Sequence, residues 1–235
     1  MFYGGRDRLF RSADLVTWEL MDGFPKNNIK SMSFIDGQIF IGTEYNPGES
    51  SVANLWRSTD GGVTWEIYHE GSFGHIAING DNIVIAKCYD QSGFGGIKVS
   101  HDGGKTWTSP VGFENISSGC GGLIFFKGNF IVQITDTVPN GGGIYWSPDG
   151  EVWTKCTDEN VNGIIYSYHA FIKSPDGKYL CFCPCDTLPD NDKTNVISLT
   201  VDGKTWHPVA KTAGYKSWQC VWGDNGIIMS GKESL

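Results

Sequence analysis

The sequence predicts an all-β chain assembled from five repeats of one four-stranded antiparallel unit. Three observations predict it. A short phrase, Ser or Thr, any residue, Asp, a turn and then Trp, occurs five times. Between its copies lies a second pattern, two apolar runs joined by a tight turn. No segment carries a convincing helical period, and 32 glycines supply the turns that an all-β chain needs.

The phrase comes first. Its copies are Ser12 to Trp18, Ser58 to Trp65, Ser100 to Trp107, Ser147 to Trp153 and Thr200 to Trp206. The acids stand at Asp14, Asp60, Asp102, Asp149 and Asp202, at steps of 46, 42, 47 and 53 residues. A repeat of that length is a supersecondary unit. Strand-like flanks such as Leu55-Trp56-Arg57 and Glu66-Ile67-Tyr68 enclose an Asp- and Gly-rich turn, which is hairpin chemistry. The carboxylate is placed to accept hydrogen bonds from N–H groups of its own turn, and the hydroxyl adds a second polar tie. The closing Trp18, Trp65, Trp107, Trp153 or Trp206 covers the turn and buries a large apolar area. These ten residues therefore read as structural fastenings, with the five acids as turn clamps and not catalysts.

The apolar hairpins come next. They turn at Asp36-Gly37, Asn79 to Asn82, Lys127 to Asn129, Ser174 to Gly177 and Gly223 to Gly226. Continuous apolar runs suit strands covered on both faces. One apolar hairpin, one longer loop and one Asp-containing hairpin make a four-stranded unit. Five such units predict a single five-bladed β-propeller domain over residues 1–235. The expected blades are 31–70, 74–112, 119–157, 166–210, and a composite of 217–235 with 1–22 that closes the ring. One detail resists this scheme. Residues 2–7 and 228–233 both resemble a second strand, so either one is displaced or the chain is a piece of a larger array.

The repeated phrase resembles the Asp-box, or bacterial neuraminidase repeat, of sialidase-like propellers. Two copies have the family's eight-residue spacing, with Gly61-Gly62 and Gly103-Gly104; three are one residue shorter, the first lacks Gly, and Val152 stands where Thr is usual. The resemblance implies propeller blades and recurs in many unrelated propellers. Sialidase activity would imply three arginines from different blades clamping a carboxylate. Only Arg6, Arg8, Arg11 and Arg57 are present, three of them crowded together, and the Phe-Arg-Ile-Pro signature is absent.

Composition narrows the partners. The net charge is −8 and the pI about 5.0, which disfavours nucleic acid or an anionic membrane surface. No stretch approaches the roughly 20 apolar residues of a membrane helix. No signal peptide is read at Met1 to Arg6, which already looks like strand. Seven cysteines without framework spacing predict free thiols and folding in a reducing cytoplasm.

Candidate site residues fall on the face shared by the longer loops. Second strands end in carboxylates at Glu44, Asp90, Asp136 and Asp186, with Glu233 or Asp7 as the fifth. Around a channel mouth these could hold Ca²⁺, serve as acid and base in glycoside hydrolysis, or simply begin solvated loops. Tyr45, Tyr89, Phe94, Tyr168 and Trp218 share that face with Tyr166 and Tyr215 and are suited to stacking on a sugar or to packing. Cys181, Cys183 and Cys185 alternate on one strand face, either as small apolar residues or as soft-metal ligands. His75 and His169 sit on inner strands. No cofactor is otherwise implied.

Three functions fit. The first is a non-enzymatic binding and display module for a glycan, a cell-surface polymer or a protein. A bacteriophage virion role suits it, because such a protein folds without an export signal and gains avidity on a multimeric particle. The second is a glycoside hydrolase using Asp90, Asp136 and Asp186 as catalytic carboxylates. The third is an intracellular assembly scaffold.

Overall fold

The computed structural model describes residues 2–4, 8–25, 27–44, 53–71, 73–87, 96–113, 120–134, 142–157, 171–183, 196–211, 215–223 and 226–233. These form twenty strands and no helix. Their order is an antiparallel meander. The first sheet holds β1 (Phe2–Gly4), β2 (Leu9–Arg11) and β3 (Glu19–Leu20). The second holds β4 (Asn28–Ile35), β5 (Gln38–Glu44), β6 (Asn54–Ser58) and β7 (Glu66–Glu70). The third holds β8 (Phe73–Asn79), β9 (Asn82–Lys87) and β10 (Ile97–Ser100), with its outermost strand reduced to a single bridge between Val99 and Thr108. Then follow β11 (Cys120–Phe126), β12 (Asn129–Ile134), β13 (Gly143–Ser147) and β14 (Thr154–Lys155). The next sheet holds β15 (Phe171–Lys173), β16 (Leu180–Phe182), β17 (Val196–Thr200) and β18 (His207–Lys211). The last pairs β19 (Tyr215–Gly223) with β20 (Gly226–Glu233).

The sheets stack face to face in chain order, with one apolar core in each gap. Leu9 meets Ile39 and Ile41 across the first gap. Phe40 and Leu55 meet Ile76 and Ile85 across the second. Val84 and Val99 meet Phe130 and Tyr145 across the third. Ile131 and Ile144 meet Phe182 and Trp206 across the fourth. Cys181 and Ile197 meet Trp222 and Ile227 across the fifth. Five cores are what a ring of five blades contains when the two terminal sheets share one blade position. The chain is an all-β propeller.

The terminal strands differ in detail from a four-stranded closing blade. β1 pairs with β2 through Phe2↔Arg11, and β3 takes the other edge of β2. β2 therefore has no edge left for β20. Among the described residues no ladder joins β19–β20 to β1–β3. The two second-strand-like segments, in β1 and β20, are both built as strands.

Local sequence explains the turns. Asp36 and Gly37 adopt φ of 48° and 77°, and Lys127 and Gly128 adopt 48° and 80°. These are two-residue turns whose twist matches the flanking strands. The inner strands carry a recurrent bulge. Lys30, Gly74, Gly121 and Trp218 are each skipped in the register with the second strand. At this level neighbouring blades come very close. A Cβ on Gly42 would lie 2.4 Å from the Cα of Gly74, and the Ser31 hydroxyl donates to the Gly74 carbonyl. Only glycine permits that approach.

Candidate functional site

The five Ser/Thr-x-Asp turns share one architecture. Each hydroxyl accepts the N–H of the turn residue with positive φ. The distances are 2.7 Å at Leu15 and 2.8 Å at Gly62, Gly104, Gly150 and Gly203. Each hydroxyl also donates to its Asp, as Ser58 does to Asp60 at 2.8 Å. The carboxylates then accept N–H groups further along the turn. Asp14 takes Val16 and Thr17, Asp60 takes Val63 and Thr64, Asp102 takes Lys105 and Thr106, Asp149 takes Glu151 and Val152, and Asp202 takes Lys204 and Thr205. The Trp65, Trp107 and Trp153 indoles donate to the carbonyls of Gly62, Gly104 and Gly150. Trp18 is the exposed member, and Trp206 is fully buried.

These hydrogen bonds set the electrostatics. The Thr64 hydroxyl and N–H, with the Ser58 hydroxyl, bring Asp60 down to about 2. Asp14, held chiefly by the Thr17 N–H, and Asp102, held chiefly by the Thr106 N–H, lie well below the usual carboxylate range. An acid so strongly held in its ionised form is a poor proton donor near neutral pH. The chemistry of these turns is that of a clamp. A sixth clamp sits in the β15–β16 hairpin. Ser174 donates to Asp176 at 2.7 Å, and Asp176 accepts the Lys178 N–H at 3.1 Å. Its sequence signal is the Ser174-Pro175-Asp176 spelling, inside a segment that otherwise reads as a plain turn.

In a meander the apolar-hairpin turns and the Asp turns fall on one face of the disc. At that end of the axis the inner strands of four blades enclose a cavity of about 450 Å³. β4 contributes Ser33, Phe34 and Ile35, followed by Asp36; β8 contributes Ile76, Ala77 and Ile78; β11 contributes Leu123, Ile124 and Phe125; β15 contributes Lys173. Phe34 is 59% exposed. Most residues around it are apolar, but much of their bulk is packed between blades and the surface they leave to the cavity is more polar than apolar, with Asp36 and Lys173 supplying one carboxylate and one ammonium. Apolar residues also crown nearby Asp turns, among them Leu15, Val16, Val63, Val152 and Val201.

This site lies on the face opposite the long loops. Its signal was the inner-strand apolar runs. An innermost strand has a neighbouring sheet on each side and pairs on one edge only, so its free backbone edge borders the channel.

Tyr45, Tyr89, Asp90, Phe94, Asp136, Tyr166, Tyr168, His169, Cys185, Asp186 and Asp7 are outside the described residues. Glu44, Tyr215, Trp218 and Glu233 are described by backbone only: Glu44 ends β5, Trp218 is the bulged residue of β19, and Glu233 ends β20. His75 lies on β8 and is half-buried. Among the described residues, no three His, Cys, Asp or Glu side chains converge as a metal site. No described helix is long and apolar enough to cross a membrane.

Two of the arginines are engaged away from the axis. Arg57 pairs with Glu66 and lies over the Tyr68 ring, 4.9 Å from its centroid. Arg11 pairs with Glu19 at 2.9 Å. A carboxylate clamp cannot be assembled from these two.

No family model and no curated protein matches the chain. Solved structures do. A nidogen–laminin complex matches at a TM-score of 0.63 and 12% identity, over 98% of this chain and 84% of that one. An ancestral GH74 enzyme matches at 0.59 and 17%, over 98% of this chain but only 36% of the enzyme. YCF48 bound to D1 peptide matches at 0.54 and 17%, over 87% of this chain and 62% of that one. This chain thus spans about a third of the GH74 enzyme and less than two thirds of YCF48. The likeness shows the fold.

Proposed function

We propose that this propeller is a non-enzymatic binding module that takes a protein partner at its axis. An apolar side chain of the partner enters the cavity on the turn face. The observation that carries this reading is the lining itself. The cavity sets the exposed Phe34 ring beside Ser33, Asp36 and Lys173, a mixed surface with one apolar anchor point and charges of both signs. That composition suits an apolar side chain flanked by charged backbone termini or side chains.

The same fold carries peptide in YCF48 and a protein in the nidogen–laminin complex, which supports a protein partner. The hydrogen-bonded turns support membership of the Asp-box propellers and make the binding face rigid. A rigid face loses little conformational freedom on binding.

The test is a peptide-display selection against the purified chain, followed by titration of the enriched peptides. Phe34→Ala and Lys173→Glu are the probes. Loss of the Phe34 ring removes roughly 1–2 kcal/mol of apolar contact, so affinity should fall about 5- to 30-fold. Lys173→Glu should weaken peptides with a carboxylate beside the apolar anchor. Peptides that bind both variants as tightly as wild type would overturn the site. Turnover of an oligosaccharide by wild-type protein would overturn the non-enzymatic reading.

A further inference from the structure

Building on the reading of the axial cavity as a partner site, we infer that it selects a bipolar segment of the partner: an apolar residue with a cationic residue on one side and an anionic residue on the other. Asp36 and Lys173 both border the cavity and come from different blades. Asp36 lies in the turn between β4 and β5, and Lys173 ends β15. Between them around the axis come Ile76 to Ile78 of β8 and Leu123 to Phe125 of β11. The negative and positive charges thus stand at the two ends of an arc through four blades.

Their backbones hold both charges in place. Asp36 and Gly37 form a two-residue turn with φ of 48° and 77°. Lys173 directly precedes the Ser174 and Asp176 clamp, where the Ser174 N–H also donates to the Tyr179 carbonyl at 2.9 Å. Both side chains are exposed. Among the described residues, ion pairs join Arg11 to Glu19, Arg57 to Glu66, His101 to Glu151 and Lys178 to Asp176. Asp36 and Lys173 belong to none of these pairs, so each charge is open to a guest.

Phe34 sets the order of the guest's groups. It lies two residues before Asp36 on the same blade, and its ring is 59% exposed. An apolar side chain resting on that ring brings a neighbouring cation to the Asp36 carboxylate, where it also meets the aromatic face. An anion on the other side of the apolar residue meets the Lys173 ammonium. Three residues of extended chain cover about 10 Å, which suits a cavity of about 450 Å³. Like charges at either end repel, so segments with two acids or two bases are disfavoured. Exposed charges of this kind give specificity more than affinity.

The experiment titrates the whole chain with peptides acetylated and amidated at their ends, so that only side chains carry charge. The probe is a Gly-Ser peptide with the core Lys-Phe-Glu, compared with the cores Gln-Phe-Glu, Lys-Phe-Gln, Gln-Phe-Gln and Glu-Phe-Glu. Each matched charge should tighten binding about 1.5- to 5-fold at low salt. That advantage should shrink at about 0.5 M NaCl. Asp36→Asn should weaken Lys-Phe-Glu by the same factor and leave Gln-Phe-Glu unchanged, and Lys173→Gln should do the same for Lys-Phe-Glu and Lys-Phe-Gln. Asp36→Lys suits the turn, since Lys127 stands at the equivalent place in the β11–β12 turn with φ of 48°. It should turn the preference from Lys-Phe-Glu to Glu-Phe-Glu. Equal binding of Lys-Phe-Glu and Gln-Phe-Gln, with both weakened by Phe34→Ala, would overturn the charge pattern and leave the apolar anchor standing. A preference for Lys-Phe-Glu that persists in Asp36→Lys would overturn it as well. Binding of no peptide, or binding indifferent to Phe34→Ala, would overturn the cavity as the site.

Discussion

Gly203→Ala tests whether the Asp turns fasten one blade to the next. Gly203 has φ +78°, and a Cβ there would lie 2.3 Å from Ile131 Cδ1 and 3.2 Å from its Cγ1, on the preceding blade. Ile131 is fully buried, so its δ-methyl has little room to rotate away. Two costs combine. The left-handed backbone conformation costs alanine about 1–2 kcal/mol, and overpacking costs about 1–3 kcal/mol more. The total is about 2–5 kcal/mol. Gly37→Ala is the control, since Gly37 has nearly the same φ, +77°, but nothing within 4 Å of an added Cβ. It should show the backbone cost alone. Ile131→Val removes the atom in the closest contact for about 0.5–1.5 kcal/mol. In that background Gly203→Ala should cost distinctly less, giving a favourable coupling of about 1–2 kcal/mol. The assay is guanidinium unfolding followed by Trp fluorescence. Equal losses for Gly203→Ala and Gly37→Ala, or no relief from Ile131→Val, would refute the interblade argument.

Three further outcomes are expected. The folded pKa of Asp60, about 2, is depressed below an unfolded value of about 3.9. Its contribution is therefore complete above about pH 4 and lost as pH falls toward 2. The thermal-midpoint gap between wild type and Asp60→Asn should narrow across that window, and a constant gap would contradict it. Leu15 occupies the left-handed position that glycine fills in the other turns, with φ +65° and 59% exposure. Leu15→Gly should raise stability by about 1 kcal/mol in denaturant titrations, because backbone strain is relieved at small cost in burial. Arg57→Ala breaks only a partly exposed ion pair and a ring contact, so the thermal midpoint should fall by no more than about 4 °C and peptide binding should be unchanged.

The fold was legible because its signals are local. Asp36-Gly37 and Lys127-Gly128 name their turns by residue type, and each Ser-x-Asp phrase names a hairpin whose hydrogen bonds stay within a few residues. Ring closure was less legible because strand order between distant termini depends on which edges are free. Phe2-Tyr3-Gly4 and the Ile228 region carry the same apolar spelling, and only pairing shows that β1 already covers the edge of β2. The axial cavity was hidden for a related reason. Ile76, Ala77 and Ile78 read as a strand apolar on both faces, and both faces pack against neighbouring blades, so the space they border at the axis leaves no mark in their spelling. Likewise, the interblade role of Gly62, Gly150 and Gly203 requires knowing what lies opposite them.

The cavity and the clamps are consequences of one constraint. Blades converge toward the axis, so inner strands must pass each other closely or leave a void. At the bulge level one blade's second strand passes closely by the next blade's inner strand, as Gly42 against Gly74 shows. Toward the turns, Ile78 and Phe125 pack into the cores between blades and Phe34 lies against Phe2, and the space bordered by β4, β8 and β11 stays open. A void of mixed lining gains most from a guest that brings one apolar group together with polar ones. The clamps on the same face fix the surrounding hairpins through bonds from hydroxyl and carboxylate to N–H groups, so the wall cannot collapse inward to fill the space. Stability at the periphery thus preserves an unfilled socket at the centre. That is the physical reason to look for the partner on the turn face.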